Sequence, residues 1–593
     1  MTDPRAAITT RLAEHRAAAA RLDRSDSRVA SLRLALFAAA AAIAVAAFAL
    51  GRVSAAWLLA PAGAYAALAV HHDRILRRRE LARRAIAFHE AAIARIDDRW
   101  AGRGTRGDRF LSEDHPYAAD LDLFGEASLF ELLCTARTRP GEDTLAAWLL
   151  GPATLDEVRA RQRAVAELAR RLDFREEMAI RGEDVRAEVD PKSIAAWAED
   201  APRLVAPGLR AAAAVAALVA TGTLVGWFAG LLHPAAFVLG AFAMWGLSRT
   251  VKPGVEHALA GVERPGRELA VLSQLLALVE RERFSDERLV EIQRALLAGS
   301  LPGSRALASL ARRIAFAEWA RNQLFAPVAF LLGWRIQWAL SVEAWRAAHG
   351  AELRRWIGAL GALEALSALG TYRFEHPEDP FPELADGAPV LEAEAMGHPL
   401  VAAARCVRND LRLGPGQRLL VVSGSNMSGK STFLRSAGTN VVLALAGAPV
   451  RAQRMRVSRL HVGATLRIQD SLQGGKSRFY AEIERLKQLS DMASGPTPLL
   501  FLVDEVLHGT NSHDRRIGAE AVLRGLLARG AIGLATTHDL ALTESAAAIP
   551  EASNAHFEDQ VVDGRITFDY RLRPGVVARS NALALMRAVG LEV

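Results

Sequence analysis

The chain has 593 residues, which is long enough for several domains. Its 73 Lys and Arg nearly balance 66 Asp and Glu, and the net charge of +7 permits nucleic acid or an anionic membrane as partner without establishing either. The two cysteines, Cys134 and Cys406, exclude a disulfide framework and suit a reducing compartment. The N-terminal residues are polar and rich in arginine, so no cleavable signal peptide is predicted.

Two uncharged stretches, residues 34–50 and 53–70, are separated only by Gly51 and Arg52. Each is near the lower length limit for crossing a bilayer, and the short tip predicts a tight helical hairpin. Arginines crowd both outer flanks, so the positive-inside rule places both ends of the hairpin in the cytoplasm. A soluble pair of alanine-rich helices is the alternative, because alanine contributes little to insertion.

A second apolar block covers residues 211–247 and is interrupted at Gly230 and Pro234. It is flanked by the basic residues Arg203, Arg210, Arg249 and Lys252. The block therefore predicts a second hairpin with both ends in the cytoplasm. Together the two blocks predict a multi-pass protein of the cell (inner) membrane, with the lipid bilayer as one partner.

Apolar residues at helical spacing dominate the rest of the first two thirds of the chain, in residues 124–150, 155–172, 267–297 and 304–369. Residues 375–389 form a linker rich in proline and acidic residues. From Val390 onward strand and helix patterns alternate, which is typical of a mainly parallel sheet. The predicted fold is a mainly helical region with membrane hairpins followed by an α/β domain. The predicted domains are residues 1–120, 121–375 and 390–593.

A phosphate-binding loop of the form G-x-x-x-x-G-K-[ST] lies between a predicted strand and a predicted helix in residues 419–438. Gly424 and Gly429 let the backbone curl so that its N–H groups face phosphate oxygens. The Lys430 ammonium and the helix N-terminus attract the phosphates, and the Ser431 hydroxyl would bind Mg²⁺. We therefore expect ATP with Mg²⁺ as ligand, contacted by Gly424, Ser425, Asn426, Met427, Ser428, Gly429, Lys430, Ser431 and Thr432.

Two further predicted strands end in polar side chains. Residues 499–503 form a continuous apolar run that ends at Asp504 and Glu505, and residues 532–536 lead to His538. Asp504 would hold Mg²⁺, and Glu505 would polarise the attacking water. His538 at the edge of this site would hydrogen-bond the terminal phosphate. The sequence thus predicts an ATP-hydrolysing site.

Several motifs resemble the ATPase domain of the MutS family of DNA mismatch repair proteins. These are GSNMSGKST, DEVLHGTNS and ATTHD, together with SLQGGKSRFYAEIERLK in residues 471–487. Looser similarity to the helical core of the family begins at about residue 121, and YRLRPGVVARSNALALMRAVGL in residues 570–591 is similar to its C-terminal segment. The resemblance covers about residues 121–591 and is most specific in the ATPase part.

This resemblance implies a two-fold dimer of ATPase domains with composite sites. It implies that Ser477 reaches the nucleotide of the opposite subunit and that Asn426 contacts phosphate or the attacking water. It also implies a helical clamp around duplex DNA. Cys406 lies about where the family often has an aromatic residue that stacks on adenine, so base stacking is left unassigned.

The departures from the family pattern lie mainly before residue 121. A short helix and an apolar hairpin stand where the mismatch-reading and connector domains would be, so we expect no mismatch recognition. A transporter is disfavoured because the alanine-rich spans carry almost no polar residue to line a path, and the region around Ser477 lacks the transporter motif LSGGQ. A membrane scaffold whose ATPase gates protein partners without nucleic acid remains an alternative, since no basic patch interleaved with aromatic residues indicates DNA.

Overall fold

The structure is a computed structural model of the chain. This structure describes residues 3–183, 191–204, 206–260, 266–467, 478–507, 512–562 and 565–576. Two compact units are present, one made of residues 1–103 and 172–183 and the other of residues 104–171 and 184–593. The first unit ends earlier than the predicted boundary at residue 120, and it includes a segment that the sequence assigned to the helical core.

The first unit is a long helical hairpin with a third helix. Its elements, numbered in chain order, are α1 (Pro4–Ala44, extended by the π-helical turn Val45–Ala49), α2 (Leu59–Ile96, preceded by the 3-10 turn Ala55–Leu58) and α6 (Leu172–Gly182). The Asp3 side chain accepts a hydrogen bond from the backbone N–H of Arg5 and caps α1. The tip between the helices lies at residues 50–54, within the predicted hairpin.

Polar contacts join α1 and α2 on the side of the hairpin away from its tip. They connect Arg5 with Asp97, Arg16 with Glu90, and Asp26 with both His72 and Arg79. Closer to the tip, large apolar side chains face outward, and Leu34, Phe48 and Leu59 are each more than 70% exposed. The hairpin therefore changes along its length from an ion-paired base to an uncovered apolar end.

Glu176 explains why α6 belongs to this unit. Its carboxylate lies 2.7 Å from His15 Nε2 and 3.2 Å from His89 Nε2, and Arg11 donates to it at 3.1 Å. These partners come from α1 and α2, far from Glu176 in sequence. The sequence pattern placed residues 155–172 in one helix and gave no signal for this contact.

The second unit contains a helical region around one long helix, α14. The helices of this region are α3 (Leu129–Leu133), α4 (Arg139–Leu149), α5 (Leu155–Ala169), α7 (Pro191–Glu199), α8 (Leu209–Phe228), α9 (Pro234–Ala260), α10 (Gly266–Arg281), α11 (Glu287–Leu297), α12 (Gly303–Glu318), α13 (Ala326–Leu331) and α14 (Trp334–Glu375). The α14 helix packs against α4, α5, α7, α9, α11 and α12. The predicted helical stretch 304–369 is divided into three helices, and Gly333, with φ of 57°, precedes the last of them.

Helices α8 and α9 form the second hairpin, over bounds close to the predicted block 211–247. They approach closely where Gly240 faces Ala220, because a Cβ on Gly240 would lie 3.3 Å from the Ala220 Cα. Their outer faces are apolar, and Leu218 and Phe228 of α8 and Leu239 of α9 are each more than 70% exposed. By length and composition, the stretches Pro4–Ala49 and Leu209–Phe228 pass the criterion for crossing a membrane.

The α/β part of the second unit has two mixed sheets. The four-stranded sheet has the order β1-β5-β2-β3, and its strands are β1 (Glu383–Ala385), β2 (Leu391–Met396), β3 (Asn409–Leu413) and β5 (Arg454–Ser458). The six-stranded sheet has the order β10-β9-β4-β8-β7-β6, and its strands are β4 (Leu419–Ser423), β6 (His461–Thr465), β7 (Leu499–Val503), β8 (Ile532–Thr537), β9 (Ala552–Val562) and β10 (Arg565–Pro574). In the larger sheet the strands pair in parallel except for the antiparallel pair β9–β10.

The centre of the larger sheet is fully buried. Every residue of β4, β7 and β8 is buried, which explains the continuous apolar run of β7 and the mainly apolar sequences of β4 and β8. The helices of this part are α15 (Lys430–Ala446), α16 (Arg478–Ala493), α17 (Ser512–Ala528) and α18 (Leu540–Ala547). Gly438 lets α15 approach β7, because a Cβ there would lie 2.6 Å from Leu502 and 2.8 Å from Leu121.

A buried carboxylate joins α14 to the start of α4. Glu364 accepts hydrogen bonds from the backbone N–H groups of Arg137 at 3.0 Å and Thr138 at 3.2 Å, and from the Thr138 hydroxyl. Burial raises the pKa of Glu364 to about 7, against the lowering effect of these hydrogen bonds. The contact fixes the α4 N-terminus, because the Thr138 hydroxyl also caps that helix.

Replacing Glu364 tests this contact. Glu364→Ala leaves buried donors without an acceptor and should cost about 1–3 kcal/mol of stability. Glu364→Gln keeps one acceptor oxygen and should lose less. Thermal unfolding of the purified full chain in detergent measures both changes. Equal melting temperatures for the wild type and Glu364→Ala would contradict a stabilising role.

The same residue predicts a pH dependence. Because the folded pKa is raised from 4.5 to about 7, the folded state keeps a proton that the unfolded state releases between these values. The stabilisation that the folded protein gains from the protonated Glu364 is therefore fully present below pH 4.5. It declines as the pH rises to 7. Glu364→Gln should reduce the fall in melting temperature across that window, and an unchanged fall would contradict the assignment.

Candidate functional site

The loop between β4 and α15 has the backbone that the motif requires. Gly424, Met427 and Gly429 have φ values of 151°, 69° and 106°. A Cβ on Gly424 would lie 2.9 Å from both the Phe557 carbonyl oxygen and the Ser428 hydroxyl, so this position has room only for glycine. The loop thus curls around the N-terminus of α15, where backbone N–H groups lack intrahelical partners.

Lys430 is the first residue of α15, and its ammonium group turns back into the loop. It donates hydrogen bonds to the carbonyl oxygens of Gly424 at 2.8 Å and Ser425 at 2.9 Å. Burial lowers the Lys430 pKa, while the nearby carboxylates of Glu505 and Asp504 act in the opposite direction. A buried cation therefore lies at the mouth of the loop, beside the N-terminus of a helix.

Two loop hydroxyls support a phosphate ligand. The Oγ atoms of Ser425 and Ser428 are buried and have no hydrogen-bond partner in the described part of the chain. A buried hydroxyl without a partner is costly, and phosphate oxygens would accept hydrogen bonds from both. Asn426 and Thr432, both exposed, line the same cavity as Lys430. The loop therefore fits a phosphate chain.

Asp504 connects three elements of the site. Its Oδ2 accepts a hydrogen bond from the Ser431 hydroxyl of α15 at 2.5 Å, and its Oδ1 accepts one from the Thr536 hydroxyl of β8. The Thr536 hydroxyl oxygen also accepts the backbone N–H of Glu505 at 3.1 Å. Because hydroxyl and carboxylate oxygens are the ligands that Mg²⁺ prefers, Ser431 and Asp504 fit a magnesium site.

Glu505 and His538 meet at the carboxyl ends of β7 and β8. These strands are neighbours in the sheet, and His538 Nδ1 lies 3.4 Å from Glu505 Oε1. Glu505 has φ of 51°, a backbone conformation that is strained for any residue other than glycine. Its carboxylate lines the same cavity as Lys430 and Ser431. The structure therefore brings the predicted base and the predicted histidine together beside the loop.

The cavity at this site has a volume of about 600 Å³ and extends from the loop to the four-stranded sheet. Cys406 and His398 line it on that side. Burial, followed by the nearby Arg435, lowers the His398 pKa to about 4, so this ring is neutral at physiological pH. The space beyond the loop is large enough for the rest of a nucleotide.

Tyr570 of β10 also lines the cavity, and sequence reasoning missed its place there. Its ring atom Cδ1 would lie 3.2 Å from a Cβ on Gly429. Asn409 holds the strand at this point by donating to the Tyr570 carbonyl oxygen at 3.0 Å and accepting the Leu572 N–H at 2.8 Å. An aromatic ring thus adjoins the loop, whereas Cys406 provides none. Because the two segments lie far apart in sequence, no local signal pointed to this pairing.

Ser477 lies outside the described residues, as do residues 508–511 and 577–593. The helix that follows Ser477, α16, is nevertheless tied to the site. Its buried Glu482 accepts the backbone N–H of Leu507, and Arg515 of α17 donates to the Leu507 carbonyl oxygen at 3.2 Å. Sequence reasoning missed Glu482. The signal that could have indicated it is an acidic residue at a position on the buried face of an amphipathic helix.

Comparison with known proteins identifies relatives of this part of the chain. Residues 420–592 match the family model for MutS domain V. A stretch of 255 residues is 33% identical to DNA mismatch repair protein MutS 2 of Halobacterium salinarum, covering 42% of this chain and 28% of that protein. A stretch of 241 residues is 33% identical to DNA mismatch repair protein MutS of Natronomonas pharaonis, covering 39% and 27%.

The matches thus cover little more than a quarter of the length of these relatives. They include the loop of residues 424–429, Asp504, Glu505 and His538, since all of these fall within the family model. Asn426, Met427, Gly429 and Glu505 line one cavity together with Lys430, and His538 lies 3.4 Å from Glu505. Residues 420–592 are therefore similar to MutS domain V, and the predicted ATP site lies within that similarity.

Proposed function

We propose that the protein is a membrane-anchored ATPase that binds Mg²⁺ and ATP at the loop of residues 424–429 and hydrolyses ATP as a dimer. The observation that carries this proposal is the hydrogen-bonded group of Ser431, Asp504 and Thr536 beside Lys430. This group brings hydroxyl and carboxylate oxygens next to the cavity that Lys430 and Ser431 line, at the N-terminus of α15. These are the parts that phosphoryl transfer to water requires.

Each residue has a distinct role in the proposed reaction. Lys430 exchanges the carbonyl oxygens of the loop for phosphate oxygens and stabilises their charge. Ser431 and Asp504 would hold Mg²⁺, which would supply neutralisation of the phosphate charge. Glu505 accepts a proton from the attacking water. His538 would hydrogen-bond the terminal phosphate, and it lies 3.4 Å from the Glu505 carboxylate.

Two substitutions separate hydrolysis from binding. Glu505→Gln keeps the shape of the side chain but removes the base, so turnover should fall by about a hundredfold or more while ATP is retained. Lys430→Ala should weaken ATP binding itself. Steady-state phosphate release and filter retention of labelled ATP measure the two effects, with Glu544→Gln on α18 as a matched control. Undiminished turnover in Glu505→Gln would remove this residue from the catalytic role.

The same variants test dimerisation, which rests on the resemblance to the MutS family. A composite site, with Ser477 reaching the partner's nucleotide, is stabilised while ATP remains bound. Glu505→Gln should therefore sediment as a dimer with ATP and Mg²⁺, and Lys430→Ala should not respond to ATP. A monomeric Glu505→Gln under saturating ATP would contradict the composite site.

Membrane anchoring is supported by the surfaces of the two hairpins. Large apolar side chains are exposed on both, and basic residues such as Arg249 and Lys252 follow the apolar part of α9. If the two helices of each hairpin cross the bilayer in opposite directions, these apolar faces are buried in lipid. The positive-inside rule then leaves the ATPase part in the cytoplasm, at the inner membrane.

Extraction and labelling test the anchor. The full chain should stay in the membrane fraction after carbonate treatment. In a variant without Cys134 and Cys406, Arg52→Cys and His233→Cys should react with an impermeant thiol reagent from the outer side. The control Glu113→Cys, at an exposed position, should react only after the membrane is opened. Release of the chain by carbonate without detergent would contradict the anchor.

Duplex DNA is the proposed ligand of the helical region, since the relatives are named as DNA mismatch repair proteins. Mispair recognition is not part of the proposal, because residues before Gly104 fold as a hairpin with an apolar end. Inserting a side chain between base pairs costs a few kcal/mol that a reading domain must recover. Contacts to phosphates give salt-sensitive affinity instead.

Competition between homoduplex and single-mismatch duplex of equal length tests this part of the proposal. We expect the two to bind within about threefold of each other, and binding should weaken as salt increases. A preference for the mismatch above about tenfold would contradict it. Failure of the purified full chain to bind either duplex at low salt would favour the alternative, a scaffold whose ATPase gates protein partners.

A further inference from the structure

A second cavity, of about 340 Å³, lies at the base of the α8/α9 hairpin, where α9, α13 and the start of α14 meet. One part of its wall is apolar and includes Trp245, Phe330 and Ile336. The other part is charged and is formed by Arg249, Lys252, Glu256 and Arg335. This cavity is separate from the ATP site and has no role in the chemistry proposed above.

The charged wall is mainly basic, because Arg249, Lys252 and Arg335 line it together with one carboxylate, Glu256. Lys252 Nζ lies 3.7 Å from Glu256 Oε1, a separation that leaves the ammonium free to contact another anion. The Arg249 guanidinium lies 5.8 Å from the centre of the Trp245 ring. Arg249 and Lys252 are both exposed on α9, three residues apart, so they lie on one face of the helix. The cavity is therefore suited to an anionic group.

The surroundings of the cavity are those of a membrane interface. Arg249 follows directly on the apolar part of α9, and Trp245 precedes it by one turn. Next to α13, Leu324 is 93% exposed, and Val328 and Phe330 on α13 are also exposed. Tryptophan is enriched where hydrocarbon meets head groups, and basic residues lie just outside that level. The charged wall thus lies at head-group depth once the hairpin is inserted.

The cavity also adjoins the N-terminus of α14. Gly333, which precedes that helix, lines the cavity, and no side chain caps the helix there. The first N–H groups of a helix carry partial positive charge, which adds to the attraction for an anion. The basic side chains remain the main source of that attraction, since each carries a full charge.

We propose that this cavity binds the phosphate head group of an anionic phospholipid. Arg249 and Lys252 contact the phosphate, while the acyl chains lie along the exposed apolar surfaces of α9 and α13. A lipid satisfies both walls at once, whereas a soluble anion would leave the apolar wall uncovered. The proposal rests on membrane insertion of the α8/α9 hairpin, which is part of the proposed function.

A pair of charge-matched variants tests this site. Arg249→Gln/Lys252→Gln removes two charges from the cavity, and Arg203→Gln/Arg210→Gln removes two from the other flank of the same hairpin. Each full-length protein is reconstituted in vesicles of phosphatidylcholine with one quarter phosphatidylglycerol, then extracted in mild detergent. Native mass spectrometry counts the phosphatidylglycerol that each protein retains.

We expect about one retained phosphatidylglycerol for the wild type and the flank variant, and about a tenfold loss for the cavity variant, because each basic contact contributes to anionic lipid binding. Equal retention of phosphatidylglycerol by the wild type and both variants, all inserted in the membrane, would overturn the proposed lipid site. It would leave the proposed membrane insertion standing. Displacement of the lipid by millimolar glycerol phosphate would also overturn it, by showing a site for a soluble anion. Failure of the wild type to resist carbonate extraction would instead contradict membrane insertion, and this inference with it.

Discussion

The geometry of the ATP site depends on the two hydrogen bonds that the Asp504 carboxylate accepts. One of its oxygens accepts the Ser431 hydroxyl and the other accepts the Thr536 hydroxyl, so a single group joins α15, β7 and β8. Thr536 in turn accepts the Glu505 N–H, which fixes the backbone that carries the proposed base. Because these elements come from separate parts of the sequence, the position of each reactive group depends on this shared carboxylate.

Within the second unit, the helical region forms a continuous packed path from the α8/α9 hairpin to α15. At one end of α14, Gly333 packs near Met244 of α9, and further along Gly361 lies against Pro140 of α4. Both α4 and α5 pack against α15, which begins at Lys430. Close-packed helices transmit displacements because their interiors have little free volume. A displacement of α15 therefore has a physical route to the end of α14 that lies beside the second hairpin.

The elements of the ATP site could be predicted from sequence because their requirements are local. Buried parallel strands need continuous apolar residues, which marked β7 at residues 499–503, and a tight loop needs glycine at positions with positive φ. The predicted helix start at Lys430 agrees with α15. The role of Ser477 stays a prediction, since it lies outside the described residues.

Features that depend on distant contacts could not be predicted. The assignment of α6 to the first unit depends on Glu176 meeting histidines from two other helices. Asn409 and Tyr570 are 161 residues apart, and Glu482 acts on a backbone N–H 25 residues away. Short α13 was read as part of one long helix because an apolar turn has the same local pattern as a buried helical face.

The most direct test of this account is the effect of Mg²⁺ on ATP affinity when Asp504 is changed. Equilibrium binding of ATP by the full chain is measured with Mg²⁺ and with chelator, for the wild type, Asp504→Asn and the matched control Asp539→Asn. The account predicts that Mg²⁺ strengthens binding in the wild type and the control but has little effect in Asp504→Asn, which lacks the anionic ligand. An equal response to Mg²⁺ in all three proteins would contradict the central place given to Asp504.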